Sequence, residues 1–298
     1  NARINRGGIR AGALPVHITL FLVSINLLGA FFLMECERRI WQALNEDGES
    51  KMKPTANTIL ITGGTSGIGL ALAQGLVAQG NTVIIAGRRQ ALLDQAAAET
   101  PGLQTMALDV SNLAALPAVA ANLIARYPAL NVLINNAGIM VAEDLLSAPD
   151  GTAEATITTN LLAPITLTAA LLPHLRAQNA ATVVNVTSGL SFVPLASTPT
   201  YSATKAALHS YTQSLRHQLR GTSVEVLELA PPAVQTDLMP GHAQNPHAMP
   251  LADYIAESLG LLANPPANGE LMVERVKFLR NAEANGSFPQ TFAMLNPA

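Results

Sequence analysis

Short apolar runs alternate with longer segments whose apolar residues recur every three or four positions, from residue 57 to about residue 284. The short runs are rich in valine, isoleucine and leucine, and they predict buried strands near 57–62, 81–86, 103–108, 130–135, 181–187, 223–229 and 269–273. The longer segments predict amphipathic helices near 67–79, 89–99, 112–126, 152–172, 202–220, 250–263 and 274–284. This alternation predicts an α/β fold, a doubly wound seven-stranded parallel sheet with helices on both faces. Ligands of such sheets bind beyond the carboxyl ends of the strands.

The residues before this pattern are different in character. Positions 11–34 carry no Asp, Glu, Lys or Arg, and the run is long enough to cross a membrane. Three arginines precede it, and the positive-inside rule would then place the following domain outside the cytoplasm. We therefore expect 1–51 to be a non-native or unstructured leader from an over-extended reading frame, without membrane association. A membrane-anchored protein is the alternative, and in both cases 52–298 form a single domain.

Composition narrows the function classes. The chain has 298 residues, of which 49% are hydrophobic and 12% charged, so one large core is expected. A net charge of −3 gives no reason to expect nucleic-acid binding. Cys36 is the only cysteine, which excludes a disulfide framework within the chain. The six histidines show no metal-ligand spacing, so no metal site is predicted.

A glycine-rich turn follows the first predicted strand. The sequence NTILIT leads into Gly63, Gly67 and Gly69, and an apolar helical segment follows. Strand, glycine turn and helix together form the setting of a nucleotide site. Gly63 allows a tight turn, Gly67 lets the backbone approach a pyrophosphate, and Gly69 lets helix and strand pack closely. The spacing G-x-x-x-G-x-G differs from the G-x-G-x-x-G of the general dinucleotide fingerprint.

A serine, a tyrosine and a lysine form the candidate catalytic group. Tyr201 and Lys205 are four residues apart, which places both side chains on one face of a helix. An ammonium beside a phenol lowers the phenol pKa from about 10, so that it can exchange a proton with a carbonyl or an alcohol. The hydroxyl of Ser188 is expected to hold the same substrate oxygen. The alternative is a tyrosine and a lysine that share a helix by chance.

These motifs occur in an order that resembles the short-chain dehydrogenase/reductase family in its single-domain Rossmann form. The resemblance rests on TGGTSGIG (62–69), NNAG (135–138), Asn160, Ser188 and YSATK (201–205), and it covers residues 57–280. The runs ELAPPAVQTDL and VERVKFLRNAE further resemble the branch of oxidoreductases named after the lipoteichoic acid D-alanylation operon.

The resemblance implies roles for individual residues. Catalysis would use Asn160, Ser188, Tyr201 and Lys205, with Asn160 holding a water linked to the lysine. Asp109 would meet the adenine, although it also suits the first turn of a helix. The cofactor would be contacted by Gly63, Thr65, Ser66, Gly67, Ile68, Gly69, Arg88, Asp109, Val110, Asn135, Ala137, Gly138, Tyr201, Lys205, Pro231, Val234 and Thr236. Pro232 replaces the glycine that the family usually has after Pro231, which leaves the nicotinamide contacts of this loop open.

The end of the second predicted strand favours NADP(H) over NAD(H). Enzymes that prefer NAD place an acidic residue there to bind the ribose 2′-hydroxyl, and this chain has Gly87 followed by Arg88 and Arg89. A guanidinium binds a 2′-phosphate well, and we expect Arg88 to make the main contact. The alternative is that both arginines cap the next helix. No basic residue lies within the glycine turn, so a second phosphate anchor is not expected.

The substrate is less well defined. Segments 189–200 and 232–250 should line its pocket, and they contain no Arg or Lys. We therefore expect an uncharged or apolar carbonyl or alcohol rather than a strong anion. The resemblance also implies a cytoplasmic homodimer or homotetramer. The alternative function is a cofactor-binding sensor or scaffold without turnover.

Overall fold

A computed structural model describes residues 52–147 and 149–297, which form one sheet with helices on both faces. The predictions for 1–51, including the apolar segment 11–34, lie outside the described residues and stay predictions. The strands are β1 (Thr58–Thr62), β2 (Thr82–Gly87), β3 (Gln104–Ala107), β4 (Leu130–Asn135), β5 (Ala181–Val186), β6 (Val224–Leu229) and β7 (Glu270–Leu271). All pair in parallel in the order β3-β2-β1-β4-β5-β6-β7. The predicted doubly wound Rossmann sheet is confirmed.

Helices cover both faces of this sheet. They are α1 (Gly67–Ala78), α2 (Gln90–Glu99), α3 (Leu116–Arg126), α4 (Thr152–Ile157), α5 (Ala163–Ala177), α6 (Pro199–Gln218), α7 (Leu251–Ala263), α8 (Lys277–Arg280) and α9 (Phe288–Leu295). One core cluster contains residues of α3, α5 and α6, and the other contains residues of α1, α2 and α7. Because both faces are covered, the central strands are mainly apolar, and all six residues of β5 are buried.

The longest helical stretch has a local irregularity. Between α4 and α5 the chain forms a π turn, Thr158–Leu162, which contains Asn160. Single π turns inside helices occur often at functional sites. By length and composition alone, Thr152–Ala177 is apolar enough to cross a membrane, but its α5 part packs against α3, β4 and β5 in this fold.

The strand order places the candidate site. The order reverses between β1 and β4, and β5 and β6 follow β4 in the sheet. The glycine turn follows β1, residues 135–138 end or follow β4, Ser188 follows β5, and Pro231 follows β6. Since the strands are parallel, all of these segments lie at the same edge of the sheet.

Candidate active site

The glycine turn is shaped for a close approach between backbone segments. Gly63 (φ +67°) and Gly67 (φ +54°) both adopt the left-handed region that side chains rarely tolerate. A Cβ on Gly63 would lie 2.7 Å from Ala137 Cα, and one on Gly69 would overlap the Gly63 carbonyl oxygen. The three glycines are therefore required by the backbone path of this turn.

Asn136 holds this turn in place, and sequence reasoning did not single it out. Its Nδ2 donates to the carbonyl oxygens of Thr62 and Gly63, 3.0 Å from each. Thr62 Oγ1 in turn accepts from the backbone N–H groups of Asn136 and Ala137, each at 3.1 Å. The end of β4 is thus fastened to the turn after β1. The second asparagine of NNAG was the available signal.

The first helix begins with its positive end free for an anion. Ser66 is the N-cap residue of α1, yet its side chain makes no capping hydrogen bond, and the first turn holds no acidic residue. The N–H groups of a first helical turn lack partners within the helix and attract phosphate groups. Together with the glycine turn, this geometry fits the pyrophosphate of a dinucleotide.

The segment after β6 reaches back over the glycine turn. Thr236 side-chain atoms lie 3.4 Å from the position of a Cβ on Gly67. Val234 is buried and pairs with Met249 in an isolated bridge, which fixes the start of this loop. The carbonyl oxygen of Pro231 accepts from the N–H of Gly189 at 2.8 Å. Thr236 is thereby placed beside the turn at which the cofactor contact was predicted.

The two arginines after β2 occupy different places. Arg89 Nη2 donates to Thr65 Oγ1 (3.2 Å) and to Ser66 Oγ (3.3 Å), which brings a guanidinium onto the glycine turn. No basic residue lies within the turn itself, but the tight β2–α2 connection directs Arg89 back towards it, which the sequence did not indicate. Arg88 lies near Asp109, whose pKa is lowered chiefly by the Ser111 hydroxyl and also by the Arg88 charge.

The residues of the NNAG segment separate into two groups. The Asn135 side chain is buried beneath the site, where its Nδ2 donates to Thr168 Oγ1 (3.0 Å) and Asn185 Oδ1 (2.9 Å). Asn135 itself, Ala137 and Val110 line a small cleft at the end of β1, and Gly138 lies beside Lys205. Asn135 therefore supports the sheet edge from below, and it does not share the position of Gly138.

Asn160 fixes the loop that follows Gly138. Its Oδ1 accepts from the N–H of Ile139, and its Nδ2 donates to the Ile139 carbonyl oxygen, both at 2.8 Å. A Cβ on Gly138 would lie 3.3 Å from Asn160 Oδ1 and 3.7 Å from Lys205 Nζ. The structure thus brings together Asn160, Gly138 and Lys205, and the alternative of a surface asparagine is wrong because Asn160 is buried.

Ser188, Tyr201 and Lys205 meet at the end of β5. The Ser188 hydroxyl lies near enough to the Tyr201 phenol to lower its pKa, although burial has the larger and opposite effect. Lys205 Nζ lies 5.6 Å from the centre of the Tyr201 ring and donates to the Val186 carbonyl oxygen at 2.8 Å. All three residues are buried, between 4% and 7% exposed. The group therefore places two hydroxyl groups and a cation side by side.

Burial gives Tyr201 and Lys205 pKa values that differ from those expected from the sequence. Burial raises the pKa of Tyr201 to about 12, although the Ser188 hydroxyl opposes the rise. Burial also lowers the pKa of Lys205 to about 8. The expectation of a lowered phenol pKa is wrong for this arrangement, because Lys205 Nζ lies at the ring and donates to a carbonyl oxygen. At neutral pH the phenol keeps its proton and the lysine is charged.

The expected pocket segments are less open than the sequence suggested. Val193 is fully buried, Met249 is 8% exposed, and both belong to a core cluster. Phe192 packs its ring against His209, with the ring centres 4.9 Å apart. These three apolar residues therefore stabilise the segments beside the site, and sequence alone could not separate core from pocket.

A potential metal-ligand cluster lies behind the site, which the sequence spacing did not indicate. His209, Glu228 and Glu270 come from α6, β6 and β7, and one ligand atom of each lies within 4.8 Å of the others. Both oxygens of Glu270 accept from Arg280, at 2.8 and 3.0 Å, and Glu228 accepts from Thr187 and His209. The carboxylates already have partners within the protein.

The family model for short chain dehydrogenase matches residues 57–246, and this chain belongs to that family. It is an NAD(P)-dependent oxidoreductase with a nucleotide-binding Rossmann fold. Over 192 residues it is 50% identical to a protein of Bacillus subtilis (strain 168) called "Uncharacterized oxidoreductase DltE", covering 63% of this chain and 75% of that protein. The predicted family and branch are thereby confirmed.

Two further comparisons concern a sequence relative and a solved structure. Over 175 residues the chain is 34% identical to the "NADP-dependent 3-hydroxy acid dehydrogenase YdfG" of Shigella flexneri, covering 58% of this chain and 71% of that protein. A short chain dehydrogenase structure from Burkholderia cenocepacia J2315 in complex with NADP has a TM-score of 0.70 and is 23% identical, covering 83% of this chain and 100% of that one. The second likeness supports the fold.

Proposed function

We propose that this oxidoreductase transfers a hydride between NADP(H) and a carbonyl or alcohol substrate, with Tyr201 as general acid and base. The observation that carries the proposal is the buried contact of Ser188, Tyr201 and Lys205 beside the glycine turn. When bound, the nicotinamide supplies or accepts the hydride. The Ser188 hydroxyl holds the substrate oxygen, and Tyr201 donates its proton to that oxygen. Lys205, whose Nζ lies 5.6 Å from the centre of the Tyr201 ring, places a positive charge beside the phenolate that remains.

NADP(H) is the proposed cofactor because two guanidinium groups lie where a 2′-phosphate would be bound. Arg89 is held on the Thr65 and Ser66 hydroxyls, and Arg88 lies by Asp109. β2 ends at Gly87 without an acid that would repel the phosphate. We infer that both arginines bind it, with NAD(H) as the weaker ligand.

The proposed substrate is an uncharged carbonyl or alcohol compound. Segments 189–200 and 232–250 contain no Arg or Lys, and nearby Arg280 is engaged by Glu270. The relative named as a 3-hydroxy acid dehydrogenase makes an anionic substrate the competing possibility. A panel should therefore contain aldehydes, ketones and quinones together with 3-hydroxy acids.

The test is spectrophotometric. The change in NADPH absorbance is followed with the purified protein and each panel compound, with Tyr201→Phe as the matched inactive variant. We expect turnover by the unmodified chain, none by Tyr201→Phe, and equal NADPH binding by both. Normal turnover by Tyr201→Phe would sink the proposed mechanism. Full NADPH occupancy without turnover across the panel would instead support a sensor or scaffold.

We further propose that the protein is cytoplasmic, where NADPH is abundant, and that it self-associates as a homodimer or homotetramer. Ile157 (40% exposed) and Leu162 (39%) lie on the outer side of α4 and the π turn, an apolar surface that a second copy would cover. Light scattering after gel filtration tests this. We expect Leu162→Glu to lower the mass to that of a monomer, and a monomeric unmodified protein would contradict the proposal.

A further inference from the structure

Glu228 is a fully buried carboxylate in β6, where the other buried residues are apolar. In β6, Val224 and Val226 point towards the α5–α6 side of the sheet, and the two-residue period places Glu228 on the same side. Its exposed fraction is 0%. A buried charge is costly unless it is hydrogen-bonded, so its partners show what it does.

Those partners belong to the two elements that carry the candidate chemistry. Thr187 Oγ1 donates to Glu228 at 2.7 Å, and Thr187 directly precedes Ser188. His209 Nδ1 lies 2.7 and 2.9 Å from the two carboxylate oxygens, and His209 is one helical turn beyond Lys205 on α6.

The Glu228 carboxylate completes a set of contacts that connects α6, β5 and β6 behind the site. Lys205 Nζ ties α6 to the end of β5 through the Val186 carbonyl oxygen. Glu228 ties the same helix to β6 through His209, and it ties β6 to β5 through Thr187. Because α6 carries Tyr201 and Ser188 follows β5, holding α6 against both strands also holds the Tyr201 side chain beside Ser188.

Positively charged side chains nearby balance the negative charges of Glu228 and Glu270. The positive charge of Arg216 on α6 acts on both Glu228 and Glu270. Arg280 binds Glu270 and also lies over the Phe192 ring, 5.0 Å from its centre. The negative charges are thus matched without a metal ion, which favours a positioning role over a cation site.

We propose that Glu228, together with His209 and Thr187, is a positioning group that sets the Ser188 hydroxyl against the Tyr201 phenol. This inference rests on the proposed function of these two residues. Loss of the group should lower kcat strongly and NADPH affinity little, because the glycine turn lies on other strands. A purely structural group would lower thermal stability and leave kcat unchanged.

The test uses one buried hydroxyl and a matched control. Thr187→Val keeps the shape of the side chain and removes the donor to Glu228, while Thr187→Ser restores a donor. Thr182, on the strand that ends just before Thr187, is fully buried and its hydroxyl has no hydrogen-bond partner in the described structure, so Thr182→Val is the control. We measure kcat and KM on the best panel substrate, NADPH affinity by fluorescence, and Tm.

We expect Thr187→Val to lower kcat roughly ten- to hundred-fold, since small misplacements of reacting groups have effects of this size. Thr187→Ser should recover most of the loss, and Thr182→Val should match the unmodified protein. A kcat of Thr187→Val within about two-fold of normal would overturn the inference, as would a parallel loss of NADPH affinity.

Absence of turnover in the unmodified protein would refute the proposed function. The positioning role of Glu228 would then be tested by crystallography. In that case crystal structures of the unmodified protein and Glu228→Gln are compared, both with NADP+. A displaced Ser188 Oγ or a lost contact to Tyr201 supports the inference. Superimposable Ser188 and Tyr201 side chains reject it.

Discussion

Lys205 belongs to the proposed catalytic group, and its burial is unfavourable for the charged ammonium. Burial lowers its pKa from 10.5 to about 8, so below pH 8 the folded protein holds an ammonium in a poor environment. A shift of this size corresponds to a cost on the order of 3 kcal/mol. The unfolded chain binds this proton more tightly than the folded one between about pH 8 and 10.5. Within this window stability rises with pH on account of Lys205.

Replacing this lysine should therefore stabilise the fold and abolish activity. Lys205→Met removes the buried charge and loses one hydrogen bond worth about 1 kcal/mol, which leaves a net gain of about 2 kcal/mol and a Tm higher by about 4–8 °C. The gain should be largest below pH 8 and vanish near pH 10.5. Calorimetry at several pH values checks this, and an unchanged or lower Tm at neutral pH would contradict it.

The arginines after β2 give a second prediction at the residue scale. Arg88→Ala and Arg89→Ala should each weaken NADPH binding roughly ten- to hundred-fold, the size of one charge-assisted contact, and leave NADH binding nearly unchanged. Competitive titration of the two cofactors measures the preference, with Arg126→Ala, which changes an arginine at the end of α3, as control. Tighter NADH than NADPH binding by the unmodified protein would overturn the assignment.

Residue types and spacing were sufficient to bring the main site residues together, but they could not specify side-chain direction. Tyr201, Lys205 and Ser188 meet because one helical turn and one strand end determine their places. Asn136, which fastens the glycine turn, and Arg89, which lies on it, depend on the direction of a single bend. Glu228 looked like an ordinary charge in a strand, since its partners are 19 and 41 residues away.

At the scale of elements, strands were predictable to within about two residues because both faces of this sheet are covered and most strands are rich in apolar residues. The π turn at Thr158–Leu162 has no comparable signal, since its residues continue the apolar helical pattern. The last helix, Phe288–Leu295, is only eight residues long and was not predicted. Its helical form depends on packing of Phe288, Phe292 and Leu295 against the core.

That last helix yields a prediction about the substrate side. Asn296, directly after α9, accepts from the N–H of Ala196 at 2.6 Å and donates to the Pro194 carbonyl oxygen at 3.1 Å. It therefore holds the segment between Ser188 and α6. We expect Asn296→Ala to raise the substrate KM roughly three- to ten-fold, the effect of losing about 1 kcal/mol of positioning, with NADPH affinity unchanged.

Steady-state kinetics on one panel substrate measure this effect. Asn264→Ala, an exposed asparagine at the end of α7, is the matched control. Equal KM values for Asn296→Ala and the unmodified protein would show that the end of the chain does not shape the substrate side.

At the scale of the whole molecule, the domain boundary can be tested by shortening the chain. Met52 is 3% exposed and belongs to the core cluster on the α1–α7 side of the sheet, so the domain includes this residue. All of the site residues named above lie after it. We expect a chain beginning at Met52 to fold, bind NADPH and turn over the panel substrate like the full chain, with a Tm within about 2 °C, because all seven strands and the described residues of both core clusters belong to 52–298. The measurements are calorimetry, fluorescence titration and sedimentation of the full chain with membranes. A shortened chain that precipitates, or a full chain that sediments with membranes while the shortened one does not, would establish residues 1–51 as part of the working protein.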